Sequence, residues 1–181
     1  MTSLSFDDAP SWVAGRLDAL GGGTRWVGVD GLGAAGKTTL AARIAAVVSG
    51  AVVVAVDHFG RAALRDWDRD LFVADVVEPL LEGRPGRYQR WDLAADRGLD
   101  WVEVPAGRAV IVEGVSSTDV RLPIPWDLRL WVDVPQGVRR SRIAERDPAA
   151  LLERWRRDWW PSEEEYVRNQ HPRSRADAII R

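Results

Sequence analysis

The chain has 181 residues, enough for one substantial hydrophobic core and too few for two. With 46% hydrophobic and 29% charged residues it reads as globular, and a net charge of −2 offers no basic field to attract nucleic acid. The absence of cysteine excludes disulfides, thiolate metal sites and a cysteine nucleophile.

Residues 1–10 show no basic-then-apolar leader and carry Asp7 and Asp8 instead. No apolar run nears the roughly 20 residues of a membrane helix. A cytoplasmic protein with no membrane partner is therefore expected. Ser11 to Leu20 is predicted helical, with Val13, Leu17 and Leu20 on one face, and Gly21 to Gly23 break it. Arg25 to Asp30 is a short apolar strand that runs into a glycine-rich turn. Gly36 to Ser49 places Leu40, Ile44, Val47 and Val48 at helical spacing, closed by Gly50. Ala51 to Val56 is a second buried strand.

Leu71 to Leu81 is predicted as a helix that Pro79 kinks or ends early. Tyr88 to Trp91 and Trp101 to Val104 suit a small hairpin. Ala109 to Glu113 and Leu128 to Asp133 are two more strands of the parallel, doubly buried type. Gly137 to Arg146 is a strongly basic helix. Asp147 and Pro148 suit the N-cap and first position of another, with Leu151, Trp155 and Trp159 in register. Ser162 and Glu165 have capping-box spacing, and Ala178 to Ile180 is a last strand.

Apolar strands alternating with helices predict a single domain over 1–181. Its fold class is α/β, three layers around a five-stranded parallel sheet, with a hairpin and an Arg-rich lid over 137–160. Residues 1–23 form an N-terminal helix and linker. Such sheets bind ligands at the carboxyl ends of their strands, which here carry Asp30, Asp57, Glu113 and Asp133.

Gly31 to Thr38 reads Gly-Leu-Gly-Ala-Ala-Gly-Lys-Thr and fits G-x-x-x-x-G-K-[ST] between a strand and a helix. This is the phosphate-binding P-loop pattern. Main-chain amides converge on phosphate oxygens, and the helix N-terminus adds positive potential. Gly31, Gly33, Ala34, Ala35, Gly36, Lys37, Thr38 and Thr39 are thus expected to hold ATP. Lys37 reaches its terminal phosphates, and Thr38 ligates Mg²⁺. Lys37 is the only lysine among 25 basic residues, at a position where a compact ammonium suits better than a planar fork.

Subclasses are narrowed by what is missing. A guanine-reading Asn/Thr-Lys-x-Asp element needs a second lysine, and no LSGGQ-like transporter signature exists. What remains is a small-molecule kinase whose lid is the run from Val138 to Asp147. Arg142 and Arg146 share a helix face there and can close over the transferring phosphoryl group. Glu113 ends an apolar strand as a Walker B acid does, and it either holds Mg²⁺ through water or positions Asp57.

The stretch from Thr24 to Arg181 resembles the uridine kinase and phosphoribulokinase-like family. The matching segments are Gly31 to Thr38, Val56-Asp57-His58-Phe59, Asp66-Trp67-Asp68, Tyr88 to Asp92, Val112-Glu113-Gly114 and the arginines from Arg142 to Asp147. The resemblance implies that Asp57 is the base for an acceptor hydroxyl, which agrees with its place at a strand end. It implies further that Asp68 binds acceptor hydroxyls, and that Tyr88, Trp91 and Asp92 line the acceptor pocket. Gly60 and Asp96 depart from the family pattern and weaken uridine itself as the acceptor. A nucleoside acceptor leads. Another small alcohol such as pantothenate, nicotinamide riboside or a sugar acid stands beside it, as does a nucleotide-binding module without catalysis. Trp155, Trp159 and Trp160 are expected to pack helices onto the sheet. His58 and His171 are too few for a metal site, and a homo-oligomer is left open.

Overall fold

The structure is a computed structural model and describes residues 2–61, 64, 66–92 and 95–181. Its strands are β1 (Thr2–Leu4), β2 (Arg25–Gly31), β3 (Val52–Ala55), β4 (Gly86–Asp92), β5 (Arg97–Val104), β6 (Ala109–Glu113), β7 (Leu128–Val132) and β8 (Ala178–Ile180). Six of them form one parallel sheet in the order β1-β8-β7-β2-β6-β3, while β4 and β5 pair as a separate antiparallel hairpin. The sheet therefore has one strand more than the five expected. β1 joins β8 in parallel, Thr2 opposite Ala178 and Leu4 opposite Ile180. It is three residues long and largely exposed, so it carries no apolar run to announce it.

β6 is buried along its whole length, and its side chains alternate between two layers. Ile111 joins Val27, Val29, Leu128 and Leu130 beneath helices α1 (Ala9–Asp18) and α2 (Lys37–Val47). Val110 and Val112 point the other way, with Trp26, Val54, Phe59, Phe72 and Tyr88. Both faces of the sheet are thus covered, as parallel sheets require. The remaining helices are α3 (Arg69–Phe72), α4 (Glu78–Leu81), α5 (Gln136–Arg146), α6 (Ala149–Arg154), α7 (Trp160–Gln170) and α8 (Pro172–Arg175). Among the described residues no helix is long and apolar enough to cross a membrane.

Pro79 does not end its helix early; the helix runs on to Leu81. A π-helical turn, Val73–Val77, joins α3 to α4, and the Glu78 amide donates to the Val73 carbonyl five residues back. Widening the turn by one residue carries the helix past a proline that has no N–H to give. The same device recurs later. Trp155–Trp159 forms a second π turn just before Pro161, with the Trp160 amide on the Trp155 carbonyl. Because the helix runs on through that turn, Ser162 and Glu165 lie inside it and do not start a helix. Asp147 does not cap α6 either. Pro148 takes that position, and the Asp147 carboxylate accepts hydrogen bonds from Arg146 and from Trp155 Nε1.

Candidate active site

The β2–α2 connection turns back at Gly36, whose φ of 96° lies in the left-handed region that glycine enters without strain. α2 then begins at Lys37, so the first-turn amides of Lys37, Thr38 and Thr39 have no acceptor within the helix. Lys37 is buried and donates from Nζ to the Leu32 carbonyl at 3.0 Å. Thr38 Oγ1 donates to Glu113 Oε1 at 3.0 Å, bridging α2 to the end of β6. Burial raises the Glu113 carboxyl above the usual carboxylate range; Lys37 pulls it back down and Asp57 pushes it up. The Asp57 charge is felt by His58 and Arg146 as well, so this exposed carboxylate sits among all three.

These groups border one cavity of about 680 Å³. Of the residues singled out from sequence, Gly33, Ala34, Gly36, Lys37, Thr38, Thr39, Asp57, Trp91, Glu113, Arg142 and Arg146 line it. Gly31, Ala35, Asp68, Tyr88 and Asp92 do not. Ala35 is buried within its own loop, its amide turned onto the Leu32 carbonyl. Asp68 caps α3 by accepting from the Leu71 amide at 3.0 Å. Asp66 takes a place in the wall instead. Tyr88 is a core residue, tilted against Phe59 and stacked on His58, with its hydroxyl 3.2 Å from His58 Nδ1. The Asp92 carboxylate accepts from the Ala95 amide and serves the hairpin turn.

Of the four strand-end acids, Asp57 and Glu113 face the cavity and the other two hold the frame. The Asp30 carboxylate is fully buried and accepts from the amides of Gly31, Ser116 and Thr118 and from the hydroxyls of Thr118 and Tyr166. It thereby ties the start of the P-loop to the segment after β6 and to α7. Asp133 accepts from Arg173 near the end of the chain.

The contacts that hold the P-loop from later in the chain went unmarked in the sequence, although Arg139 belongs to the lid run named there. Glu163 of α7 is buried against the P-loop and accepts from the Gly33 amide at 2.6 Å. The equally buried Arg139 lies 3.5 Å from the Glu163 carboxylate and donates to the Gly33 carbonyl at 3.3 Å. Both polar groups of Gly33 are therefore taken by side chains more than 100 positions away. Burial holds the Glu163 carboxyl above its usual range, with the Gly33 amide, Arg139 and Lys37 opposing the shift. Arg142 makes the neighbouring attachment, donating to the Ala34 carbonyl at 3.0 Å. Of the six amides from Gly33 to Thr38, those of Gly33 and Ala35 are thus spent inside the protein.

Trp155 and Trp159 line the cavity, contrary to the expectation that they pack against the sheet. The Trp155 ring presses on Gly33 so closely that a Cβ there would lie 2.3 Å from it. Trp159 meets Trp155 edge to face at 4.7 Å, and Trp160 turns away beneath Arg140. Glycine at position 33 is required by this approach and by no special backbone angle. Gly33→Ala is expected to cost about 1–3 kcal/mol of stability through overpacking and to displace α7 from the loop. Thermal melts together with the nucleotide affinity of the variant check this; unchanged values for both would contradict the contact.

Another wall of the cavity is made by His58, Gly60, Arg61, Leu64, Asp66 and Trp67, with Trp91 from the hairpin. Arg69 fastens this wall through Asp66 at 2.6 Å, Ser116 Oγ at 2.8 Å and Asp119 at 2.7 Å. Trp67 Nε1 adds a bond to Ser116 Oγ at 3.0 Å. The wall is thus fixed to the segment that follows Glu113.

Thr38 and Glu113 offer two oxygens at the floor of the cavity. Among the described residues no three His, Cys, Asp or Glu side chains form a metal cage. That donor set fits magnesium, which is held by one or two protein oxygens together with phosphates and water.

No protein-family model matches the chain, and no curated protein matches it. Solved structures do. A chain described as a "possible uridine kinase" from Bacillus stearothermophilus superposes with a TM-score of 0.75 at 19% identity, covering 97% of this chain and 98% of that one. A "putative fructose transport system kinase" from a Silicibacter species gives 0.68 at 21% identity, again over 97% and 98%. The mixed α/β architecture, the parallel sheet and the separate hairpin are shared with these neighbours, and the resemblance to the uridine kinase and phosphoribulokinase-like proteins holds at the level of the P-loop kinase fold.

Proposed function

We propose that this chain is an ATP- and magnesium-dependent phosphotransferase acting on a hydroxyl of a small, ring-bearing metabolite such as a nucleoside. The observation that carries this reading is the convergence of Lys37, Thr38, Asp57, Glu113, Arg142 and Arg146 on one cavity. Both structural neighbours carry the word kinase in their descriptions. When bound, ATP would supply the phosphoryl group, and magnesium on Thr38 and Glu113 would neutralise part of its charge.

The protein's own tasks divide by position. The α2 amides and Lys37 hold phosphate oxygens at the floor. Asp57 stands at a strand end beside them and takes the proton of the acceptor hydroxyl. Arg142 and Arg146 approach from α5 and stabilise charge on the oxygens in transfer. Leu151, Trp155 and Trp159 of the lid keep bulk water from the reacting groups. Trp67 and Trp91 bring indole rings into the acceptor wall, each with an arginine over one face, and this aromatic surface favours a ring over an open-chain alcohol.

The direct test is release of ADP from ATP and Mg²⁺ across a panel of nucleosides, sugars and other small alcohols. Acceptor-dependent release is expected. Tight ATP binding with no acceptor-dependent turnover would instead favour a nucleotide-binding module without catalysis. Arg142→Ala is expected to lower kcat by roughly 10²-fold with a smaller effect on ATP affinity, because its charge matters most in the transition state. Equal losses in both quantities would place Arg142 in ground-state binding.

A further inference from the structure

Among the described residues five cations and five carboxylates line the cavity, but two of those carboxylates, Asp66 and Glu163, are already paired with arginines from outside the lining. Every lining carboxylate except Asp57 is already engaged. Asp66 is paired with Arg69, Asp147 with Arg146 and Trp155, Glu113 with Thr38, and Glu163 with Gly33 and Arg139. Neither Arg61 nor Arg154 is among their partners, yet both line the cavity. Lys37 and Arg142 stand at the P-loop, where they can meet the net negative charge of a magnesium-bound triphosphate. That leaves Arg61 and Arg154 without an ion-paired carboxylate among the described residues.

Their placement suits a ligand rather than the fold. Arg61 lies four positions after Asp57, and its Nη1 donates to the Gly60 carbonyl at 2.8 Å, which lays the side chain along the wall. Its guanidinium carbon sits 4.2 Å from the centre of the Trp91 ring. Arg154 stands 4.9 Å over Trp159. A guanidinium stacked on an indole is held flat, with its N–H edge left in the plane for a carboxylate or phosphate fork. Asp75 feels the Arg61 charge but forms no ion pair with it among the described residues, and it lies outside the lining.

Resting on the phosphotransferase reading, we propose that the acceptor is a ring-bearing acid: an alcohol that also carries a carboxylate or phosphate monoester, held by Arg61 and Arg154. The anion sits away from the reacting hydroxyl, since Asp57 must meet the hydroxyl and would repel the acid group. The two stacked cations thus select the charged acceptor against its neutral analogue.

The test compares matched acceptors that keep a free primary hydroxyl: uridine, uridine with a ring carboxylate (orotidine) and uridine 3′-monophosphate, with pyridoxine against 4-pyridoxic acid as a second skeleton. ADP release and calorimetric binding are measured on the full chain and on Arg61→Ala and Arg61→Lys. At least one acidic member is expected to exceed its neutral counterpart in kcat/KM and in affinity by about 10-fold or more, the scale of a charge-assisted hydrogen bond. Which acidic member does so separates carboxylate from phosphate. Arg61→Ala should erase that preference by raising KM for the acidic member with little change in KM for ATP, and Arg61→Lys should restore part of it. Neutral members favoured or equal in both readouts would overturn the proposal, as would an Arg61→Ala defect that appears in KM for ATP. Tighter binding of acidic members without any turnover would uphold the anion site and refute the phosphotransferase reading instead.

Discussion

Lys37→Ala is expected to lower ATP-dependent transfer by on the order of 10³-fold or more, the scale seen when a cation on the transferring phosphoryl group is removed. The reason lies in how the ammonium is placed. It is buried, fixed by the Leu32 carbonyl and close enough to Glu113 and Glu163 to lower the proton affinity of both. A fixed, desolvated charge needs no reorganisation when negative charge builds on phosphate oxygens, which is what makes such groups effective. The substitution also leaves two buried carboxylates without that counter-charge, so a lower melting temperature is expected alongside the loss of activity. Lys37→Met keeps the stem and separates the two effects: turnover should stay lost while much of the packing returns. Turnover within tenfold of the unmodified protein would remove the P-loop from the chemistry.

Asp57→Asn is expected to cut kcat by roughly 10²–10⁴-fold, the contribution of a positioned general base, while ATP affinity measured by calorimetry is retained. Among the described residues Asp57 is the lining carboxylate without a hydrogen-bonded or ion-paired partner, and it stands where β3 gives way to a short 3₁₀ turn, Val56–Phe59. Asn keeps its size and hydrogen-bonding capacity but cannot take a proton at neutral pH. The fall should therefore appear in kcat and not in nucleotide binding. Transfer that survives in Asp57→Asn would point to a different base. Loss of ATP binding would instead mean that Asp57 shapes the nucleotide site through Arg146 and Glu113.

The parts of the site legible in the sequence are those whose geometry is made locally. Gly31 to Thr38 follows from a strand, a turn and a helix start that neighbouring residues dictate, and Glu113 from an apolar run that ends in an acid. The basic face of α5 is visible in the four-residue spacing of Arg142 and Arg146. Glu163, Arg139 and Trp155 were hidden for the opposite reason. Their meaning comes from meeting Gly33 across more than 100 residues of chain, and no spacing rule reports such a contact. Asp68 illustrates a local signal read for the wrong purpose. An aspartate before a helix is first a cap, and the cap took the side chain. Ser162 and Glu165 had the right spacing for a helix start, but the π turn at Trp155–Trp159 had already delivered a helix to that point. β1 is held by pairing with β8 and by Leu4 against the core, a tertiary gain that three residues, two of them exposed, cannot advertise.

The double hold on Gly33 also bears on how the protein is born. The loop's residues leave the ribosome early, but the carboxylate that fixes its shape is made some 130 positions later. Until α7 has emerged and docked, the cradle lacks a side chain that sets its curvature, and a growing chain has no finished place for a nucleotide. Nucleotide should then protect the whole protein against protease and leave fragments that stop short of α7 as vulnerable as before. Ligand stabilisation is therefore expected only once the fold is complete, since the cradle and its cover mature together.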